Sequence, residues 1–474
     1  MKKIFVGVIS LLMMLAIASC DNGQKGPQEK PLAEFSITMN DVERTIEVGV
    51  NPSDSSVYYV FDLLTEEEYL AVGANEEGIK QLVSDEIASG EAMIASGVTS
   101  YEYTDLLYMS TYYAYAVQID NNDGVVTVNG TPVVMNKSLK KSFTSFEPQE
   151  MAIAPFAISD NGYYLVGNFQ DGSYLYDLRR DELTIVPAVA FNDVTNDGVI
   201  YGQDLTSYEG IIYRNGEIEY VQGIEGAAET CFFSVNPEGT LAVGYCMDAA
   251  YSIVPIKYED GVVSALAYPV SADGATVAHA AAKSVGANGV IAGYGLMNSD
   301  YSEVSVAWNL PDGSDRVLGK DLMDVNSETE FWNYIYGDMF TYVSPNGKYI
   351  ASNLSDFTAG VWEGVDYAYL YDVEADEFTT IDDSAIANYP VDGVMSNGDV
   401  FFKNVPYGLG DHPYVYSKSD AAVYTLKEYM RVKYGYETEN PVEGSLITVS
   451  DDCKIFVTCT YGDNTGYVTN IFVM

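Results

Sequence analysis

Apolar and polar residues alternate in short runs along most of the chain. Glu34–Met39, Arg44–Val50 and Val57–Phe61 change side at successive residues, the period of a half-buried strand. Glu66–Ser96 breaks that alternation. It is rich in Glu, Ala and Leu, which predicts helix, with Gly97 as its stop. Strands resume at Tyr112–Ile119, Val125–Val128 and Lys140–Phe146. One run is apolar throughout, Ile4–Ile17, preceded by Lys2 and Lys3. It is short for a membrane span and has the flanks of a secretory signal. The polar stretch Asp21–Lys30 reads as a flexible tether.

Beyond residue 147 a longer period is laid over the alternation. A turn signal follows an apolar strand at Ser159–Gly162, Thr195–Gly198, Asn236–Gly239, Gly286–Gly289, Ser344–Gly347, Met395–Gly398 and Ser450–Cys453. After each turn comes a second apolar strand, with glycine at Gly167, Gly202, Gly244 and Gly293. An aromatic strand follows: Ser173–Leu178, Gly210–Asn215, Ser305–Leu310, Ala368–Val373 and Pro413–Lys418. A fourth strand completes several units. Four short antiparallel strands repeated seven times predict a seven-bladed β-propeller over 147–474. The seventh unit ends at Met474 one strand short. An open edge there would be a liability. The apolar residues within 147–154 are therefore expected to supply the missing outer strand.

Three local patterns carry resemblances. Ile17-Ala18-Ser19-Cys20 resembles a bacterial lipoprotein signal, in which small residues admit the signal peptidase and the cysteine is lipidated. This implies a signal peptide over 1–19, Cys20 as the acylated residue (palmitate among its chains), a tether over 20–31, and membrane attachment through that lipid. Leu107–Val117 resembles the fibronectin type III pattern of Leu, Thr, Tyr and Val, with Met109 where that family has Pro. The implied domain is a small β-sandwich over 32–146 with a helical insert. Tyr113 would be its corner tyrosine, its hydroxyl tied to nearby backbone. The seven-fold unit resembles HAF-type and WD-like propeller repeats. The fold class expected is thus all-β, a small sandwich followed by a propeller.

Charge then narrows the partners. Sixty-nine Asp and Glu oppose 23 Lys and Arg, a formal charge of −46. Phosphate binding needs clustered cations, so nucleic acid is excluded as a partner. Two histidines leave no basis for a multi-histidine metal site, and no cofactor motif occurs. No Gly-x-Ser-x-Gly elbow or phosphate-binding loop appears, and no catalytic residue is assigned. Hairpin register sets Cys231 opposite Gly244 or Tyr245, and Cys453 and Cys459 share one strand. Free thiols are therefore expected at Cys231, Cys246, Cys453 and Cys459.

In a propeller blade the first-to-second and third-to-fourth turns share one face. The second-to-third loops and inter-blade connections share the other. The long segments 320–338, 353–366, 404–412 and 427–443 all belong to the second face. They carry Trp332, Tyr334, Tyr336, Trp362, Tyr407, His412, Tyr429, Tyr434 and Tyr436. Aromatic loops on a rigid frame suit a glycan or protein ligand. The reading is a surface-exposed outer-membrane lipoprotein that binds without catalysis. The alternatives are a carboxylate-dependent propeller enzyme such as a glycoside hydrolase, which needs only two acids, and a periplasm-facing assembly scaffold.

Overall fold

A computed structural model describes residues 32–122, 125–141, 143–146, 154–169, 171–271, 274–297, 303–318, 341–354, 367–386, 389, 391–402, 413–439, 442, 445–452, 454–462 and 466–474. The chain is all-β apart from short helices. It divides into two compact units, one of residues up to 104 with 111–137, the other of 105–110 with 138–474.

The first unit holds two sheets. Phe35–Val42, Thr45–Pro52 and Thr99–Tyr103 form one, in that order. Ile94–Ser96, Tyr58–Thr65, Ser110–Asn122 and Val125–Val128 form the other, with Val133–Leu139 also paired to the long Ser110–Asn122 strand. The predicted helical stretch is two helices, α1 (Glu66–Ala71) and α2 (Glu76–Ser89). Thr65 and Glu68 close a capping box on α1. Gly90 ends α2 at φ 79°, earlier than Gly97. That leaves Ile94–Ser96 free to pair with Tyr58–Val60 as a strand. Tyr113 lies in the long strand with its ring stacked on Tyr69 of α1, centroids 4.1 Å apart.

Among the described residues, the second unit is built from seven four-stranded antiparallel sheets. Their first strands are Ala154–Ile158, Val189–Val194, Ala227–Val235, Val277–Val285, Thr341–Val343, Val391–Val394 and Ser445–Val449. Each first strand packs on the next, and the seventh packs back on the first. The first strands therefore encircle one axis, the arrangement of a seven-bladed propeller. Apolar clusters fill the wedges between blades, such as Tyr201 and Ile212 of blade two against Phe232 and Ile256 of blade three.

The blade glycines have a steric cause. First strands carry bulges after Phe191, Phe232 and Ala282. A Cβ on the opposed Gly202, Gly244 or Gly293 would lie 1.9–2.0 Å from the carbonyl oxygens of Ala190, Cys231 and Ala281. Only glycine permits that approach.

Closure differs from the sequence expectation. The outer strand of blade seven is Phe143–Phe146, paired with Phe472–Thr469. Residues 147–153 lie outside the described residues, and Ala154 begins the inner strand of blade one. The strand expected to be the sandwich's last therefore belongs to the ring, and Val133–Leu139, which runs from the first unit into the second, is the strand that pairs with Ser110–Asn122. Apolar character alone does not separate two neighbouring strands that can each satisfy an open edge.

Candidate functional site

The turn face is short and stitched together. Gly162, Gly198, Gly239, Gly289, Gly347 and Gly398 supply φ of 70–85° in the first-to-second turns. Neighbouring turns exchange hydrogen bonds. The Asn161 side-chain amide donates to Asn196 O (2.8 Å), and Asn346 Nδ2 to Ser396 O (2.8 Å). The backbone N–H of Ala287 donates to Pro345 O, and that of Asp451 to Asp160 O. Beneath this rim, Asp193 Oδ2 accepts the Val235 N–H of the next blade at 2.9 Å. Burial raises the Asp193 carboxyl to about 6. Asp160 is pushed up to about 8, by burial first and then by the charges of Asp193, Asp451 and Glu238.

The opposite face carries the loops. In blade two, Asp204 Oδ1 accepts the N–H groups of Thr206 and Ser207 at 2.7 Å each, turning the chain toward Tyr208. In blade three, Asp248 Oδ1 accepts those of Ala250 and Ser252 at 2.8 and 2.9 Å, turning it toward Tyr251. Both loops are held from below. Tyr208 O accepts the Thr230 N–H at 2.9 Å, and Ile253 N–H donates to His279 Nδ1 at 3.2 Å. The side chains they present are exposed, Tyr208 at 52% and Tyr251 at 78%. Both tyrosines have left-handed backbone, φ 60° and 64°. That conformation costs an ordinary L-residue about 1–2 kcal/mol. Tyr268, in the connection between blades three and four, donates its hydroxyl to Ile253 O beside the second loop.

Deeper along the inner strands lies a polar cluster. Glu229 accepts the Tyr245 hydroxyl at 2.5 Å and Gln203 Nε2 at 3.0 Å. The Lys283 ammonium sits 3.8 Å from the Phe233 ring centroid. Burial pushes the Cys231 thiol up to about 12, and Lys283 only partly offsets it. Among the described residues, no three His, Cys, Asp or Glu converge as metal ligands.

Of the residues named from sequence, Cys20, Trp332, Tyr334, Tyr336, Trp362, Tyr407 and His412 lie outside the described residues. Tyr434 and Tyr436 are half-buried and pack on the cluster between blades six and seven. Tyr434 makes edge contacts with Tyr429 and Phe456. Tyr434 ends a helix, α3 (Leu426–Tyr434), that is wedged against the core and is not a free loop, and Tyr436 follows its cap, Gly435. Cys231, Cys246 and Cys459 are buried thiols outside any disulfide, with Cys231 opposite Tyr245 as its register predicts. Cys453 lies outside the described residues. Tyr208 and Tyr251 do not stand out in the sequence because their loops are short. The available signal was a tyrosine closing the loop before the third strand, repeated in the next unit.

No protein-family profile and no curated protein matches the sequence. Among solved structures, the chain is similar to an oligogalacturonate lyase from Vibrio parahaemolyticus, at 11% identity over 70% of this chain and 96% of that one, TM-score 0.43. It is similar to YCF48 bound to D1 peptide, at 9% identity over 70% and 97%, TM-score 0.41. It is also similar to TolB from Acinetobacter baumannii, at 10% identity over 80% and 75%, TM-score 0.29. The fold assignment comes from the strand order and register of this chain.

Proposed function

We propose that this protein is an exported, lipid-anchored binding protein whose ligand surface is the loop face of the propeller. In this reading Cys20 carries the lipid, palmitate included, and the tether and a fibronectin type III-like first unit hold the propeller off an outer membrane, facing outward. The ligand is a glycan or a protein, and binding is non-catalytic. The observation that carries the reading is the pair of exposed tyrosines on buttressed loops in consecutive blades. Exposed aromatic rings on loops pinned to a rigid frame are suited to contact a ligand.

The faces can be blocked separately. Thr206 lies in the blade-two loop, and Asn215 in the third-to-fourth turn of the same blade; both are exposed. A bulky maleimide polymer attached to Thr206→Cys in the full chain should abolish capture on a mixed glycan and peptide array. The same polymer on Asn215→Cys should leave capture intact. Equal behaviour of the two conjugates would contradict the assignment. For the anchor, Cys20→Ser should release the full chain from the membrane fraction and end incorporation of a palmitate analogue. Retention with continued labelling would sink that part.

A further inference from the structure

The tyrosines on the loop face do not stand alone. Each closes a loop whose first residue is an aspartate, Asp204 before Tyr208 and Asp248 before Tyr251. Both carboxylates are held ionised by their surroundings. Burial opposes the charge of Asp204, but the N–H groups of Ser207 and Thr206 outweigh it and keep its carboxyl below the usual carboxylate range. The N–H groups of Ser252 and Ala250 do the same for Asp248. Glu209 follows Tyr208 directly, and Glu225 lies in the connection leading to blade three, on the same face.

The same combination, an exposed aromatic ring with a fixed negative charge in the same loop, therefore occurs twice, on adjacent blades. An aromatic face attracts a cation through its quadrupole, best where a carboxylate is also at hand. A chain of formal charge −46 steers cationic partners toward itself and repels anionic ones. Neutral sugars would gain from the rings but nothing from the charge.

Resting on the loop-face reading above, we infer that the exposed rings of Tyr208 and Tyr251 form a contact surface for an extended Lys/Arg-rich protein segment laid across blades two and three, with the charges of Asp248 and of the buried Asp204, whose Oδ2 accepts the Tyr220 hydroxyl, behind them. One basic side chain meets each tyrosine ring, in the field of the aspartate that opens the same loop, and the repeat of the blade sets the spacing. Both rings are exposed to solvent.

The test is fluorescence anisotropy of a labelled oligolysine peptide titrated with the full chain, beside maltoheptaose as a neutral oligosaccharide. The double substitution Tyr208→Ala, Tyr251→Ala leaves net charge unchanged and touches only exposed side chains. It should weaken peptide binding about tenfold. The double Tyr→Phe variant should bind as the parent does. Tyr58→Ala, an equally exposed tyrosine of the first unit, should change nothing. High salt should weaken binding by the parent chain. Equal peptide affinity for the parent and the double alanine variant would overturn the inference, because binding would then be a general effect of charge. Tyrosine-dependent binding of the oligosaccharide alone would also overturn it, while leaving the loop face as the ligand surface. Binding of neither probe in a tyrosine-dependent way would count against both.

Discussion

Asp160 shows how much of this molecule is set by single residues. Its carboxyl sits at the turn-face rim of blade one, where burial and three neighbouring acids raise it to about 8. In the unfolded chain the same group titrates near 3.8. Between those values the folded state holds a proton that the unfolded state does not, so folding takes one up. Stability from this group is full below the unfolded value and is lost as pH rises toward 8. Asp193 acts in the same direction over a narrower window, up to about 6. Thermal melts should therefore show the propeller weakening between about pH 5 and 8. Asp160→Asn should flatten that slope and melt higher than the parent at pH 8. A variant slope equal to that of the parent would refute the assignment. Nothing in the sequence marks Asp160 among 69 acids. Its neighbours come from blades two, three and seven, and only the closed ring assembles them. Gly202, Gly244 and Gly293 were legible because their spacing repeats.

At the scale of elements, α3 is the clearest departure from expectation. The tyrosines of segment 427–443 suggest an aromatic binding loop. The start of a helix is nevertheless written in the sequence as Thr425-Leu426-Lys427-Glu428, a capping box that the structure contains in full. Leu426, Tyr429 and Met430 fall on one helical face and are buried with Phe401, Val415, Phe456 and Phe472 of the flanking blades. The helix fills the gap between blades six and seven. Tyrosine content does not distinguish the two uses, since a tyrosine can bury its ring and still satisfy its hydroxyl. Tyr429 does so by donating to Asp399 Oδ2 at 2.6 Å, in a fully buried setting. Removing a hydrogen bond to a buried charge costs about 2 kcal/mol. Tyr429→Phe should destabilise the propeller by about that amount in urea unfolding, with ligand binding unchanged. A loss of binding at unchanged stability would return this segment to the ligand surface.

The whole molecule depends on closing a ring whose strands come from distant parts of the chain. Seven sheets place the second-to-third loops of consecutive blades side by side, and that adjacency gives Tyr208 and Tyr251 a joint role. The number of blades and the strand order within them were legible, because each blade repeats the same turn and glycine signals. The closing strand was not, because it is a single non-repeated segment lying next to another apolar one. The joint is also fixed by Lys141, just ahead of the closing strand. Its ammonium lies 2.6 Å from Asp181 and 3.2 Å from the Tyr176 hydroxyl of blade one. Arg316, at the outer edge of blade four, repeats the arrangement on Tyr371 and Asp376 of blade five. Cross-linking tests the closure most directly. Ser145 faces Asn470 and Thr144 faces Ile471 across the closing pair. Paired strands bring facing Cα atoms within disulfide reach. Cysteines placed at these pairs in the full chain should oxidise to a link joining the two peptides, with the protein still folded. If neither pair links, while a cysteine at Gln149 or Met151 links to Asn470→Cys instead, then the ring is closed by 147–154 and closure by Phe143–Phe146 is wrong.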